Sequence, residues 1–128
     1  DALHYVAGYT VVCDVTARDL QKKDDQWTRA KGFDTFCPVG PWVVEGLEPG
    51  NLAIQLRQND VLKQDGNTND MIFSVPQLIA YISGIMTLEP GDLIATGTPS
   101  GVAPMQPGDQ LVIRIASVGE LSFPVAAS

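Results

Sequence analysis

Three Pro-Gly pairs, Pro49-Gly50, Pro90-Gly91 and Pro107-Gly108, each stand just before a short apolar segment. Proline presets the first corner of a type II turn and glycine accepts the positive φ of the second. Each pair therefore reads as a turn feeding a strand: Leu52 to Leu56, Asp92 to Thr96, and Gln110 to Ile115. A chain interrupted this often by extended pieces is not a helical bundle, and the other periodicities agree. Tyr5 to Cys13 is β-branched and aromatic and reads as a buried strand that delivers Asp14 at its end. Gly40 to Val44 is a short apolar strand, and Leu52, Ile54 and Leu56 alternate with polar residues as a half-buried strand should. Asn59-Asp60 turns the chain back into Val61 to Lys63, and a last strand lies near Glu120 to Val125.

Two helices are expected. Thr16 with Asp19 matches a capping box for a short helix from Ala17 towards Lys23, followed by a polar loop from Lys22 to Arg29. Ser74 with Gln77 is a second capping box, and Val75, Leu78, Ile79, Ile82 and Met86 follow at helical spacing until Gly84 closes the helix in a left-handed conformation. Roughly six to eight strands and two short helices predict a β-rich α+β domain.

Composition narrows the partners. With 128 residues, 45% of them hydrophobic, the chain can build one globular core, and no composition shift marks an internal linker. The net charge of -7 repels a phosphate backbone, so nucleic acid is not an expected partner. No apolar run approaches the roughly 20 residues of a membrane helix, and the first residues do not resemble a signal peptide, so a cytoplasmic address without membrane attachment is expected. Cys13 and Cys37 form no disulfide framework or zinc pattern and read as reduced thiols. His4 is the only histidine, which argues against a Ser-His-Asp or Cys-His site. Phosphate-loop and dinucleotide fingerprints do not occur.

Three polar stretches, the last two containing glycine, are left unexplained by periodicity: Asp14 to Gln21, Lys31 to Cys37, and Thr96 to Gly101. Loops held by a rigid scaffold commonly carry function. Asp14 has two readings. It follows an apolar strand, where a carboxylate wants a partner or a hard cation; or it caps the helix beside Thr16 or pairs with Arg18, which the residues alone favour. Lys31-Gly32-Phe33-Asp34-Thr35 offers an ammonium, a carboxylate and a hydroxyl around a glycine bend, or is a solvated turn. Thr96-Gly97-Thr98-Pro99-Ser100-Gly101 offers hydroxyls and backbone N–H groups to a carboxylate, or is a plain loop. Asp65-Gly66-Asn67-Thr68 is a turn first and a site second.

Taken together, four ordered motifs resemble the fumarylacetoacetate hydrolase family. They are Gly8 to Gln21 (GYTVVCDVTARDLQ), Lys31 to Pro38 (KGFDTFCP), Gln64 to Thr68 (QDGNT), and Leu88 to Asp92 (LEPGD) running into Thr96 to Pro99 (TGTP). The resemblance covers most of the chain and implies the family's C-terminal mixed β-roll, with residues 1 to 128 as a single catalytic domain. It further implies a Mg²⁺ or Mn²⁺ ion chelating the head of a small 2-oxo acid, and a homodimer. Asp14 matches the family's metal-ligating aspartate. Lys31 and Thr35 match positions lining the same site as catalytic groups, Gln21 and Thr96 match substrate-contacting positions, and Arg18 and Asp19 match motif residues that hold the turn. The implied chemistry is a stabilised enolate, common to acylpyruvate hydrolysis, oxaloacetate-type decarboxylation and keto–enol isomerisation. One departure is plain: the family's upstream Glu-x-Glu ligands and the His-Glu pair of its lid have no counterpart before Asp14, so the chain reads as lacking an N-terminal part. A binding or assembly module that keeps the β-roll without the metal triad is the alternative.

Overall fold

Alternation and turn chemistry translate into strand pairing. The computed structural model describes residues 1–127. It has six strands, β1 (Tyr9–Val12), β2 (Val39–Val44), β3 (Ala53–Gln58), β4 (Val61–Asn67), β5 (Gln110–Ile115) and β6 (Gly119–Pro124), and three short helices, α1 (Arg18–Lys23), α2 (Thr28–Lys31) and α3 (Val75–Ser83). β1 and β2 form an antiparallel pair, and the other four strands form an antiparallel sheet in the order β4-β3-β5-β6. The β-rich α+β expectation is met.

The β3–β4 hairpin closes through Asn59 and Asp60, whose φ values of 50° and 65° are both left-handed. That geometry matches the twist of paired strands, and Asn and Asp tolerate it better than most residues. Leu111 and Ile113 alternate inward on β5 and are buried, while Gln110 and Arg114 face out. Ile113 joins Val11 of β1 and Val118 in one core, with Leu56, Leu121 and Phe123 packed around it. Trp42 of β2 ties the two sheets together: its indole N–H donates to the Val118 carbonyl at 2.8 Å. The ring needs the room Gly119 leaves, since a Cβ there would lie 2.7 Å from Trp42 Nε1.

Several local expectations change. Ala2–Tyr5 is a 3-10 turn, closed by His4 N–H to Asp1 O and Val6 N–H to Leu3 O, so the first strand starts at Tyr9 and not at Tyr5. Asp92 to Thr96 is not a strand: it has no partner strand, and Leu93 and Ile94 lie beside Ile82 and Met86 at the end of α3. Pro49–Asn51 is a 3-10 turn rather than a type II turn, because Thr68 takes over the local bonding: its hydroxyl donates to Pro49 O and accepts from Leu52 N–H. Gly91 and Gly108 do carry positive φ, at 99° and 94°. The Ser74–Gln77 capping box forms and α3 ends at Gly84 as expected, although Gly84 stays right-handed with φ -74°. A third helix, α2, occupies the end of the stretch read as loop.

The accessible surface is 8958 Å², about a third more than the ~6,600 Å² typical of a folded monomer of this mass. Exposed apolar side chains contribute to it, among them a group between Met71 and Val102, where Ile72 is 90% and Tyr81 72% exposed. No helix among the described residues is long and apolar enough to cross a membrane.

Candidate functional site

β1 ends at Val12, and Cys13 continues its pairing through an N–H bond to Pro38 O at 3.0 Å. Asp14 is therefore the first side chain released from the sheet. Its partner is Lys31, at the last position of α2, and not Arg18. Arg18 instead donates to the Gln21 side chain one turn along α1. Asp14 and Lys31 are brought together because α1 and α2 are tied at their bases, where Ala17 N–H donates to Ala30 O at 2.8 Å and Ala30 is fully buried.

Thr16 completes the cluster at the expense of the helix cap. Its hydroxyl donates to Asp14 O at 3.1 Å, and its oxygen faces Lys31 Nζ at 3.4 Å. The expected capping box with Asp19 does not form, and Ala17 stands at the N-cap without a side-chain bond. Lys31 Nζ also lies 6.0 Å from the centre of the Trp27 ring, near the outer limit of a cation–π contact. An ammonium has three N–H donors. Asp14 uses one and Thr16 faces a second, which leaves one without a hydrogen-bond partner among the described residues.

The other candidates are placed differently. Gln21 is half-buried on α1 and bonded to Arg18. Thr35 sits at φ 69°, and Cys37 at φ 60°, so the Lys31 to Cys37 stretch is held in a conformation that a β-branched threonine adopts only under constraint from its surroundings. Thr96 is exposed on the loop that crosses β4. Among the described residues no hydrogen bond joins Gln21, Thr35 or Thr96 to the Asp14–Lys31 pair. Burial, with Asp14 and Cys37 adding to it, pushes the Cys13 thiol up to about 11, which keeps it protonated and inert beside the site. Thr16 and Trp27 were missed as site neighbours: a capping signal hid the first, and a lone tryptophan in a polar stretch carries no signal of its own.

Mg²⁺ and Mn²⁺ need several oxygen ligands. Asp14 offers one carboxylate, already engaged by Lys31, and among the described residues no three His, Cys, Asp or Glu side chains converge. By themselves these residues do not make a complete metal centre.

The profile of the fumarylacetoacetate hydrolase C-terminal domain matches residues 1–126. The chain belongs to the fumarylacetoacetate hydrolase family. It is 53% identical to the uncharacterised protein MJ1656 of Methanocaldococcus jannaschii, over 94% of this chain and 51% of that protein. It is 48% identical to the oxaloacetate tautomerase YisK of Bacillus subtilis, over 95% of this chain and 44% of that enzyme. Among solved structures, the 2-hydroxyhepta-2,4-diene-1,7-dioate isomerase of Mycobacterium marinum is 50% identical and superposes with a TM-score of 0.96, covering 97% of this chain and 49% of that one. The chain thus spans about half the length of the curated relatives it matches. Isomerases and oxaloacetate tautomerases of the fumarylacetoacetate hydrolase family therefore share its fold and all four of the motif segments it carries lie within the matched range.

Proposed function

We propose that this chain carries the reacting end of an enzyme that interconverts the keto and enol forms of a small 2-oxo acid. The observation that carries the reading is the Asp14–Lys31 pair at the mouth of β1, in a chain whose relatives include an oxaloacetate tautomerase and a dienoate isomerase. Interconversion places negative charge on the 2-oxo oxygen. A preorganised cation aimed at that oxygen stabilises the charge as it develops, and Lys31 is such a cation with a free N–H. Asp14 and Thr16 fix where the ammonium stands. Gln21 and Thr96 contact the substrate, and Thr35 orders the site edge next to Lys31. A divalent cation, Mg²⁺ or Mn²⁺, would take Asp14 as one ligand and its remaining ligands from outside the described residues. The alternative chemistries of the same enolate, acylpyruvate hydrolysis and decarboxylation, belong to the same reading with a different distal group.

The test uses protein expressed from its complete gene, with Mn²⁺ present, and follows the ultraviolet absorbance of enol oxaloacetate. The expected result is catalysed conversion to the keto form, with Asp14→Ala weakening Mn²⁺ binding in calorimetry. A folded protein that fails on oxaloacetate, acylpyruvates and dienoate enols alike, and whose metal affinity ignores Asp14→Ala, contradicts the reading and supports a non-catalytic binding or assembly module.

We also propose that the protein is a homodimer. The exposed apolar face around α3 supports this: the surface excess of one chain, roughly 2,400 Å², is larger than the roughly 800 Å² that each partner contributes to a standard interface, so it has room for one. A dimer in solution, measured by light scattering, would become monomeric on Tyr81→Asp. A wild-type monomer would contradict it and assign the face to flanking sequence.

A further inference from the structure

Gln64 is the one polar side chain in the buried set among the described residues, with 7% of its surface exposed. It lies on β4 between the exposed Lys63 and Asp65, so the burial is specific to its face. Its amide nitrogen donates to Thr98 Oγ1 at 3.0 Å and to Pro99 O at 2.8 Å. Pro99 O can only accept, which fixes the amide with its nitrogen toward the loop. The second N–H then forces Thr98 Oγ1 to accept, and the hydroxyl proton of Thr98 is left to donate outward. Two glycines let the loop come this close. A Cβ on Gly101, whose φ is +101°, would lie 2.0 Å from Lys63 O, and a Cβ on Gly66 would lie 3.0 Å from the Pro99 side chain. Upstream of this clamp, Thr96 and Gly97 are exposed and Gly97 turns at φ 122°.

We infer that Gln64 is a positioning residue. It acts through the Thr96–Gly101 loop, holding Thr98 and Pro99 so that the hydroxyls and N–H groups before them face an anion as donors. The ligand class is the carboxylate of the 2-oxo acid, so the inference rests on the proposed function and on Thr96 as a substrate contact. An amide at position 64 does this where an apolar residue cannot, since leucine or methionine would remove the donor that the half-buried Pro99 carbonyl uses. It touches neither Asp14 nor Lys31, so its influence falls on substrate affinity and not on the enolate step.

The experiment compares wild type, Gln64→Met, Thr98→Val and Thr96→Val in protein expressed from its complete gene, with oxaloacetate as substrate. Gln64→Met keeps the volume and removes both donors. The expected result is a KM raised about tenfold with kcat within about threefold. Thr98→Val, which leaves the buried amide in place and poses less risk to folding, shifts KM in the same direction. Amide hydrogen exchange across Thr96 to Gly101 is expected to accelerate at least about tenfold in Gln64→Met and stay unchanged in Thr96→Val. If Thr96→Val raises KM while folded Gln64→Met and Thr98→Val leave both KM and loop exchange as in wild type, Gln64 is not a positioning residue and the functional reading stands. If wild type turns over no 2-oxo acid, the functional reading falls, and with it the assignment of Gln64 to a substrate, whatever the exchange result. If kcat falls as far as KM rises, Gln64 belongs to the chemistry and the inference is overturned.

Discussion

The four-stranded sheet and the segment around α3 are built from similar apolar residues, yet they treat them in opposite ways. In the sheet, Leu111 and Ile113 are buried because the neighbouring strands satisfy the backbone and β1 with Val118 closes over the inward face. Around α3 the backbone is satisfied within the helix and its apolar side chains meet the first 3-10 turn and the irregular Leu88 to Ala95 segment, but Ile72, Phe73, Tyr81 and Ile85 remain open. Local hydrogen bonding and burial are separate requirements. A helix can meet the first alone and leave the second to whatever packs against it.

Core truncation gives the largest contrast. Ile113→Ala is expected to lower unfolding free energy by about 2–5 kcal/mol, whereas Ile72→Ala stays within about 0.5 kcal/mol for the isolated chain. Urea denaturation followed by circular dichroism measures both, and comparable losses would erase the distinction. A smaller effect sharpens it on the sheet side. Asp109 accepts from Gln106 N–H, Asn59 Nδ2 and Gln58 Nε2 at 2.8, 2.7 and 2.6 Å, tying the end of β3 to the turn before β5. These donors hold its carboxyl below the ordinary Asp value. A lowered folded pKa contributes stability that is present above the unfolded pKa, near 4, and is lost as pH falls through the lower folded value. Melting temperature should therefore drop below about pH 4 more steeply in wild type than in Asp109→Asn. Parallel acid profiles would show that this tie does not hold the sheet.

Much of this was legible in the sequence, and the rest was not for identifiable reasons. The Ser74–Gln77 box, the Asn59-Asp60 turn and the alternation of β3 are signals completed within a few residues, so nothing distant overrides them. The run at Leu93 to Ala95 has strand composition, but a strand exists only where a partner supplies hydrogen bonds, and composition does not contain the partner. The Thr16–Asp19 box failed because the Thr16 hydroxyl is taken by Asp14 and Lys31, so the site displaces the local rule. At the site, the motif resemblance singled out Asp14 and Lys31 but not that they pair, because their contact spans 17 positions and depends on the Ala17–Ala30 bond between two short helices. Gln64 stood only in the QDGNT segment of the family resemblance, and the turn expected over Asp65 to Thr68 is instead strand β4 as far as Asn67. The burial of Gln64 comes from the loop laid across β4, which no local pattern encodes.

The account depends on Asp14 and Lys31 acting as one unit. A double-mutant cycle on kcat/KM for enol oxaloacetate, with Asp14→Asn, Lys31→Met and both together, measures that directly. The account predicts that each single change costs about 10²-fold or more and that the pair costs little beyond the worse single change. Losses that multiply independently, or a Lys31→Met protein as active as wild type, would contradict it.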